Sequence, residues 1–285
     1  MNWLLGSDPE LMLIDASGNL RSAIGVIDGT KERPLQLEDG MAQHDNVNAE
    51  FGITPAKNED EWVNRHRNVL VQLDSLIGDS LKLAVIASAD FPESELNCEA
   101  ARKFACDPDF NPYSVDVNTI PEGAADGTLR SCGGHIHFGS DMFKKFDDIL
   151  EGVKVMDIFL GIPSLLLDKD PTSTRRRELY GCAGAHRPKS YGFEYRPLGN
   201  FWISNPHLTA LVWKLSRDGI EAFANGHVSG INKNAIRATI DAGRLDKAEE
   251  AMKGFIIPLL GEDTKELMDR CLQLPHSNIY ESWEI

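Results

Sequence analysis

In the stretch Gly133-Gly134-His135-Ile136-His137-Phe138-Gly139, two histidines stand two residues apart between glycines. Side chains of an extended segment alternate faces, so His135 and His137 project side by side while Ile136 and Phe138 pack on the opposite, apolar surface. Glycines at both ends leave room for close approach of backbone or ligand. Alone, such a pair suits a solvated strand face as well as a metal site. The choice turns on whether other stretches supply polar groups in the same phase.

Three other stretches do. From Leu5 to Ile14 a strand pattern puts Asp8 and Glu10 on one face and Leu11 and Leu13 on the other, with Pro9 arguing for an edge or a bulge because it lacks a ladder donor. In Asn46-Val47-Asn48-Ala49-Glu50-Phe51, the residues Asn46, Asn48 and Glu50 share a face against Val47, Ala49 and Phe51. Tyr191 to Arg196 places Glu194 and Arg196 together, with Phe193 and Tyr195 behind them. One pair in phase is noise, whereas four point to a common face.

Between these strands the pattern gives supporting elements. Asp15 to Asn19 is a turn by composition, returning a hairpin through Leu20 to Ile27. Asp28-Gly29-Thr30-Lys31 is a polar loop that offers Lys31 to a cofactor, although an ordinary surface turn has the same composition. Asn58 with Glu61 reads as a capping box, opening a helix with Trp62, Val69, Leu70, Leu73 and Ile77 on one side and ending before Gly78. Leu81 to Ala89 is an apolar run of strand length, Glu93 to Phe104 a second helix, and Phe146 to Phe159 a helical core stripe. Arg175 to Lys189 is basic and non-periodic, which predicts a ligand-contacting loop. Ser204-Asn205-Pro206 starts a helix, and the pattern stays helical to Ile285 with breaks near Gly226, Gly230 and Pro258. With no repeat or linker, residues 1–285 read as one domain, a sheet part to about residue 202 and a helical part from 203.

A formal net charge of -15 argues against nucleic acid or anionic lipid as partner, because the surface repels both. Arg175-Arg176-Arg177 is the exception, three guanidinium groups suited to clamping phosphates or carboxylates. Cys98, Cys106, Cys132, Cys182 and Cys271 are odd in number and lack C-x-x-C spacing, which speaks against a disulfide framework and a thiolate zinc site. No apolar run is long enough to span a bilayer, and the first residues lack the features of a signal peptide. A cytoplasmic protein is expected, compatible with a homo-oligomer.

Mostly carboxylate ligands with a single imidazole suit hard divalent ions such as Mg²⁺ or Mn²⁺. Arginines beside such a cluster are the parts needed to hold phosphates and neutralise charge in phosphoryl transfer. No G-x-x-x-x-G-K-[ST] loop occurs, which disfavours a P-loop enzyme.

These residues carry a resemblance. Gly6-x-Asp8-Pro9-Glu10, Asp39-Gly40, Asn48-Ala49-Glu50, Gly133-Gly134-His135-Ile136-His137, Arg177 with Tyr180-Gly181, Ala183-Gly184 and Tyr191-Gly192-x-Glu194-Tyr195-Arg196 resemble the phage-type COOH-NH2 ligases, of the glutamine synthetase and glutamate-cysteine ligase superfamily. The resemblance implies an α+β fold: a curved antiparallel sheet with a concave catalytic face, flanked by helices. It implies ATP and two or three Mg²⁺ or Mn²⁺ ions, with Asp8, Glu10, Glu50, His135 and Glu194 as metal ligands. His137, Lys31, Arg177 and Arg196 are then the nucleotide-side candidates, and Arg177, Arg187, Arg196 and Glu50 the catalytic ones. The implied reaction phosphorylates a carboxylate with ATP and lets an amine displace phosphate, giving an amide and ADP. If the chain is phage-encoded, it would act in the host cytoplasm. Two departures stand out: Asp8 is one methylene shorter than the superfamily's glutamate, and only one middle glutamate, Glu50, is evident, with Asn48 or Asn46 as a weak neutral substitute. A metal-dependent hydrolase without nucleotide and an inactive binding protein of the same fold are the competing readings.

Overall fold

The computed structural model describes residues 2–102, 109–118, 127–275 and 278–285. The long strand Trp3–Asp15 is its spine, because it changes partners along its length. Its first half pairs with Gly134–Ser140, which sets Gly6 opposite His137 and Asp8 opposite His135. Across its other edge Glu10 faces Glu50 of the strand Asn48–Ile53, and from Met12 onward it meets Leu81–Ala84. Hairpins widen the sheet on both sides, Gly40–Asp45 beyond Asn48–Ile53, and Gly192–Tyr195 with His186–Lys189 beyond Gly134–Ser140. Every strand ladder among the described residues is antiparallel.

The alternation predicted for these strands is what separates core from site. Leu5, Leu11, Leu13, Ile136, Phe138, Phe193 and Tyr195 are fully buried on one face. Phe138 and Phe193 stack there with ring centroids 4.9 Å apart. Each such ring contributes about 2–3 kcal/mol by leaving water, so the burial of this face fixes the register. The helix Glu59–Ile77 covers that face through the predicted residues and His66. Its cap is one residue different from expectation: Asn58 accepts from the Glu61 N–H, but the Glu61 carboxylate accepts from the Lys57 N–H. The helix Pro206–Ala224 starts at the predicted Asn205 cap, and further helices at Lys233–Asp241, Leu245–Ala251, Glu262–Leu272 and Ile279–Trp283 make the C-terminal region helical.

Several expectations change. Pro9 lies on an interior strand, at the point where pairing passes from Gly134 to Glu50, so the lost donor falls at the changeover. The run Leu81–Ala89 is broken into Leu81–Ala84 and Ser88–Asp90, because Asp170 and Asn200 side chains take the backbone groups of Ala87 and Ile86 between them. Only Leu20–Arg21 of the predicted return strand pairs, and the chain then turns through Ala23 to Ile27. Glu93–Leu96 is a 3₁₀ turn and Glu99–Arg102 a single helical turn, while Phe104 lies outside the described residues. Asn46 sits in the hairpin turn at φ 55°, a left-handed conformation asparagine tolerates, and not in the strand. The basic loop is instead a helix, Ser173–Leu179, followed by the strand His186–Lys189.

Candidate active site

The face opposite the core gathers the phased residues. Oxygen or nitrogen atoms of Asp8, His135 and Glu194 lie within 4.8 Å of one another, and so do those of Glu10, Asp45 and Glu50. Two clusters able to hold metal ions thus follow one another along the spine strand. Gly133 makes the first possible, since a Cβ there would collide with the His135 ring; a Cβ on Gly134 would strike the Gly199 carbonyl and Trp202.

In the first cluster, Asp8 Oδ1 is 3.1 Å from His137 Nε2 and 3.4 Å from His135 Nδ1, yet is aligned with neither as a hydrogen bond. Burial would raise the Asp8 pKa, but the two histidines outweigh it and hold the carboxyl well below the usual range. His137 moves the other way, with Asp8 raising it against the pull of burial. Glu194 is also ionised: burial and Asp8 push it up, while Arg196 and the histidines bring it down to about 2. Three cations converge on it, with Lys189 Nζ 2.9 Å away, Arg187 Nη1 3.6 Å away, and Arg196 in direct contact. Arg196 Nη1 also donates to His135 Nδ1 at 3.2 Å.

The second cluster is not balanced in this way. Burial raises Glu10, partly offset by His135. Burial and then Asp8, Asp45 and Glu10 push Glu50 well above the carboxylate range, against a 2.8 Å hydrogen bond from Gln43. Buried carboxylates that repel one another call for a proton or a cation between them. Donor sets of two carboxylates with one imidazole, and of three carboxylates, fit Mg²⁺ or Mn²⁺. The nearby Cys132 thiol is pushed far up by burial, which makes it a poor zinc ligand.

Of the sequence candidates, Asp8, Glu10, Glu50, His135, His137, Arg187, Glu194 and Arg196 are brought together. Arg177 and Lys31 are not. Successive helical residues point about 100° apart, so only one of the three arginines can face inward. That residue is Arg176, whose guanidinium donates to the carbonyls of Cys132, Pro197 and Arg196. Arg177 instead contacts Thr174 and lies by Gly243, and Lys31 is exposed in the turn closed by Thr30 and Arg33. Three residues were missed. Asp45 supplies a further acid beside Glu10 and Glu50, and its signal is the pair Gln43-x-Asp45 running into an Asn-containing turn. Asp109 sits between Arg187 and Arg196, 3.6 Å and 2.5 Å from their Nε atoms. Lys189, at the end of the stretch predicted as a loop, is the last residue of the strand His186–Lys189 and pairs with Glu194. Asn48 lies beside the second cluster: its Nδ2 donates to Ser131 O at 3.0 Å and is 3.5 Å from Glu10, while its Oδ1 is buried without a hydrogen-bond partner.

Cavities flank the clusters. One of about 430 Å³ lies at the Asp8 end, lined by Leu4, Gly6, Gly40, Gly52, His137 and Tyr191. One of about 60 Å³ lies at the Glu10 end, lined by Glu10, Asp45, Asn48, Asp109, Tyr180 and Arg196. Tyr191 lines the first, its hydroxyl in a 2.5 Å hydrogen bond with His137 Nδ1.

Residues 122–252 match the model of the family Phage phiEco32-like COOH.NH2 ligase-type 2. The match to this COOH.NH2 ligase family takes in His135, His137, Arg187, Lys189, Glu194 and Arg196, and supports a ligase-type reaction. Asp8, Glu10, Asp45, Glu50 and Asp109 lie outside it and join through the fold alone. Among solved structures, a bifunctional glutathione synthetase from Pasteurella multocida is 10% identical over 99% of this chain, with a TM-score of 0.49. The chain spans about half of that protein's length, 48%. A structure described as a novel glutamine synthase homolog is 14% identical, covering 96% of this chain and 71% of its own, with a TM-score of 0.35. No curated protein matches the chain. Among the described residues no helix is long and apolar enough to cross a membrane.

Proposed function

We propose that this chain is an ATP-dependent carboxylate-amine ligase that works through an acyl phosphate on the concave face of its sheet and releases ADP. The observation that carries this reading is a pair of metal-ligand clusters lying between a cavity of nucleotide size and a small cavity lined mainly by polar and charged residues, with arginines beside them. Asp8, His135 and Glu194 would hold one divalent ion and Glu10, Asp45 and Glu50 another. Such ions neutralise phosphate charge and polarise the phosphoryl group.

The chain's own part is positioning. His137 and Tyr191 face the larger cavity, where the nucleotide would lie. Arg187 and Arg196 bridge Asp109 and Glu194 and are fixed before any substrate arrives. Preorganised donors of this kind stabilise charge as it develops on a transferring phosphoryl group. The carboxylate oxygen attacks the γ-phosphorus and ADP leaves; the amine then attacks the acyl carbon and phosphate leaves. No protein nucleophile is needed.

The test is to incubate the protein with Mg²⁺, ATP and panels of carboxylates and amines. ADP and phosphate are the expected products, with hydroxylamine trapping a hydroxamate. AMP and pyrophosphate would replace this mechanism with an acyl adenylate, and metal-dependent hydrolysis of a substrate without ATP would favour the hydrolase.

A further inference from the structure

We propose that Lys189 is a polyphosphate-binding residue of this site, an inference that rests on the ligase reading above. Arg187 and Lys189 are two residues apart on one strand and so share the site face. Register then separates them: Arg187 stands opposite Glu194, while Lys189 stands opposite Gly192, which in turn faces Gly139. Gly139 and Tyr191 line the larger cavity. Lys189 therefore lies nearer the nucleotide end than Arg187 does, and its charge acts on His137.

Its tethering differs from that of the arginines. Arg187 and Arg196 each reach Asp109 as well as Glu194, and their side chains are 14% and 5% accessible. Lys189 pairs with Glu194 at 2.9 Å and its side chain is 34% accessible. A divalent ion held by Asp8, His135 and Glu194 would share the charge of Glu194 and weaken its hold on Lys189. A compact ammonium on a flexible stem can then turn a few ångströms toward anionic oxygens. Phosphates strung between the larger cavity and the metal clusters would pass within its reach. The planar, doubly held guanidinium groups stay with the transferring phosphoryl group deeper in the site.

The experiment is calorimetric titration of ATP, ADP and AMP, with Mn²⁺ present, into the wild type, Lys189→Met and Lys189→Gln. Mn²⁺ titration alone reports whether each variant keeps a folded site. The expected result is a 10- to 100-fold loss of affinity for ATP and ADP, the size of one charge-assisted contact, with AMP changed less than twofold. Lys189→Arg should recover part of the loss. If the wild type binds ATP and both neutral variants show equal effects on ATP, ADP and AMP, or none, Lys189 is only a counter-ion of Glu194 and the inference falls. A wild type that binds no adenine nucleotide overturns the ligase reading itself, and this inference with it.

Discussion

Glu50 and Glu194 show how far one residue type can be divided by its surroundings. Glu194 is the shared anion of Arg187, Lys189 and Arg196, whereas Glu50 sits among acids with one amide donor. In the metal-free protein ionised Glu50 therefore opposes folding. A carboxyl whose folded pKa is raised relieves this cost as pH falls through that pKa, and contributes nothing below its unfolded value of 4.5. Glu50→Gln should raise the melting temperature of metal-free protein at pH 7.5 and remove most of the further rise caused by Mg²⁺. That rise corresponds to about 2.7 kcal/mol at a hundredfold excess over Kd. Glu194→Gln should instead lower it, because it removes the anion that Arg187, Lys189 and Arg196 share. Thermal melts with EDTA and with Mg²⁺ decide this, and a metal-free Glu50→Gln protein less stable than Glu194→Gln would reverse the assignment. The two-residue phase made Asp8, Glu10, Glu50, His135 and Glu194 legible, because period two is a local property. Asp45 was not, because its direction depends on where the hairpin turns, and Asp109 directly precedes a strand of only two residues, Phe110–Asn111, too short to show an alternation.

At the level of elements, the helix Glu59–Ile77 carries a feature its apolar stripe concealed. His66 is fully buried, with Nε2 2.8 Å from Ser7 Oγ and Nδ1 2.7 Å from the Trp62 carbonyl. Burial depresses its pKa from 6.5 to about 3. Folded protein thus keeps this imidazole neutral while the unfolded chain protonates it below 6.5, so the stability present above pH 6.5 is lost as pH falls toward 3. Between pH 6.5 and 5 this amounts to about 2 kcal/mol. Urea midpoints measured at pH 7.5 and 5 should fall more for the wild type than for His66→Gln; equal falls would show that other groups carry the acid sensitivity. Helix periodicity revealed which side of this element is covered, but could not show that Ser7 on the spine strand meets a histidine 59 positions away. The arginine run failed for a related reason. Read as a loop, all three arginines could reach a ligand; wound as a helix, Arg176 becomes a fastening between Cys132, Pro197 and Arg196 and turns Arg177 outward.

For the molecule as a whole, the site depends on a core that the sheet does not complete by itself. Trp213 of the helix Pro206–Ala224 stacks on Trp3 of the spine strand at 4.6 Å and lies 6.0 Å from Trp62. Trp62 Nε1 donates to the Thr209 carbonyl across 147 positions of sequence. At the far end, Trp283 Nε1 donates to the Ile203 carbonyl at 2.7 Å, and the Tyr280 hydroxyl links Asp74 to the Leu83 N–H. Amphipathic helices after residue 203 were readable from the sequence, but which sheet face they cover was not, since these contacts join distant segments. They make one connected apolar cluster from Leu5 to Trp283. Removing the helical part would bare the ring surface beneath Asp8 and His135, and burial of that surface is what holds the strands in register. Residues 1–202 alone should therefore give a poorly dispersed amide spectrum and no saturable Mn²⁺ binding. The full chain should melt in one transition that Mn²⁺ shifts as a unit. A folded, metal-binding 1–202 fragment, or two separate transitions of the full chain with only the first responding to Mn²⁺, would mean that the sheet carries its own core and the helices are an appendage.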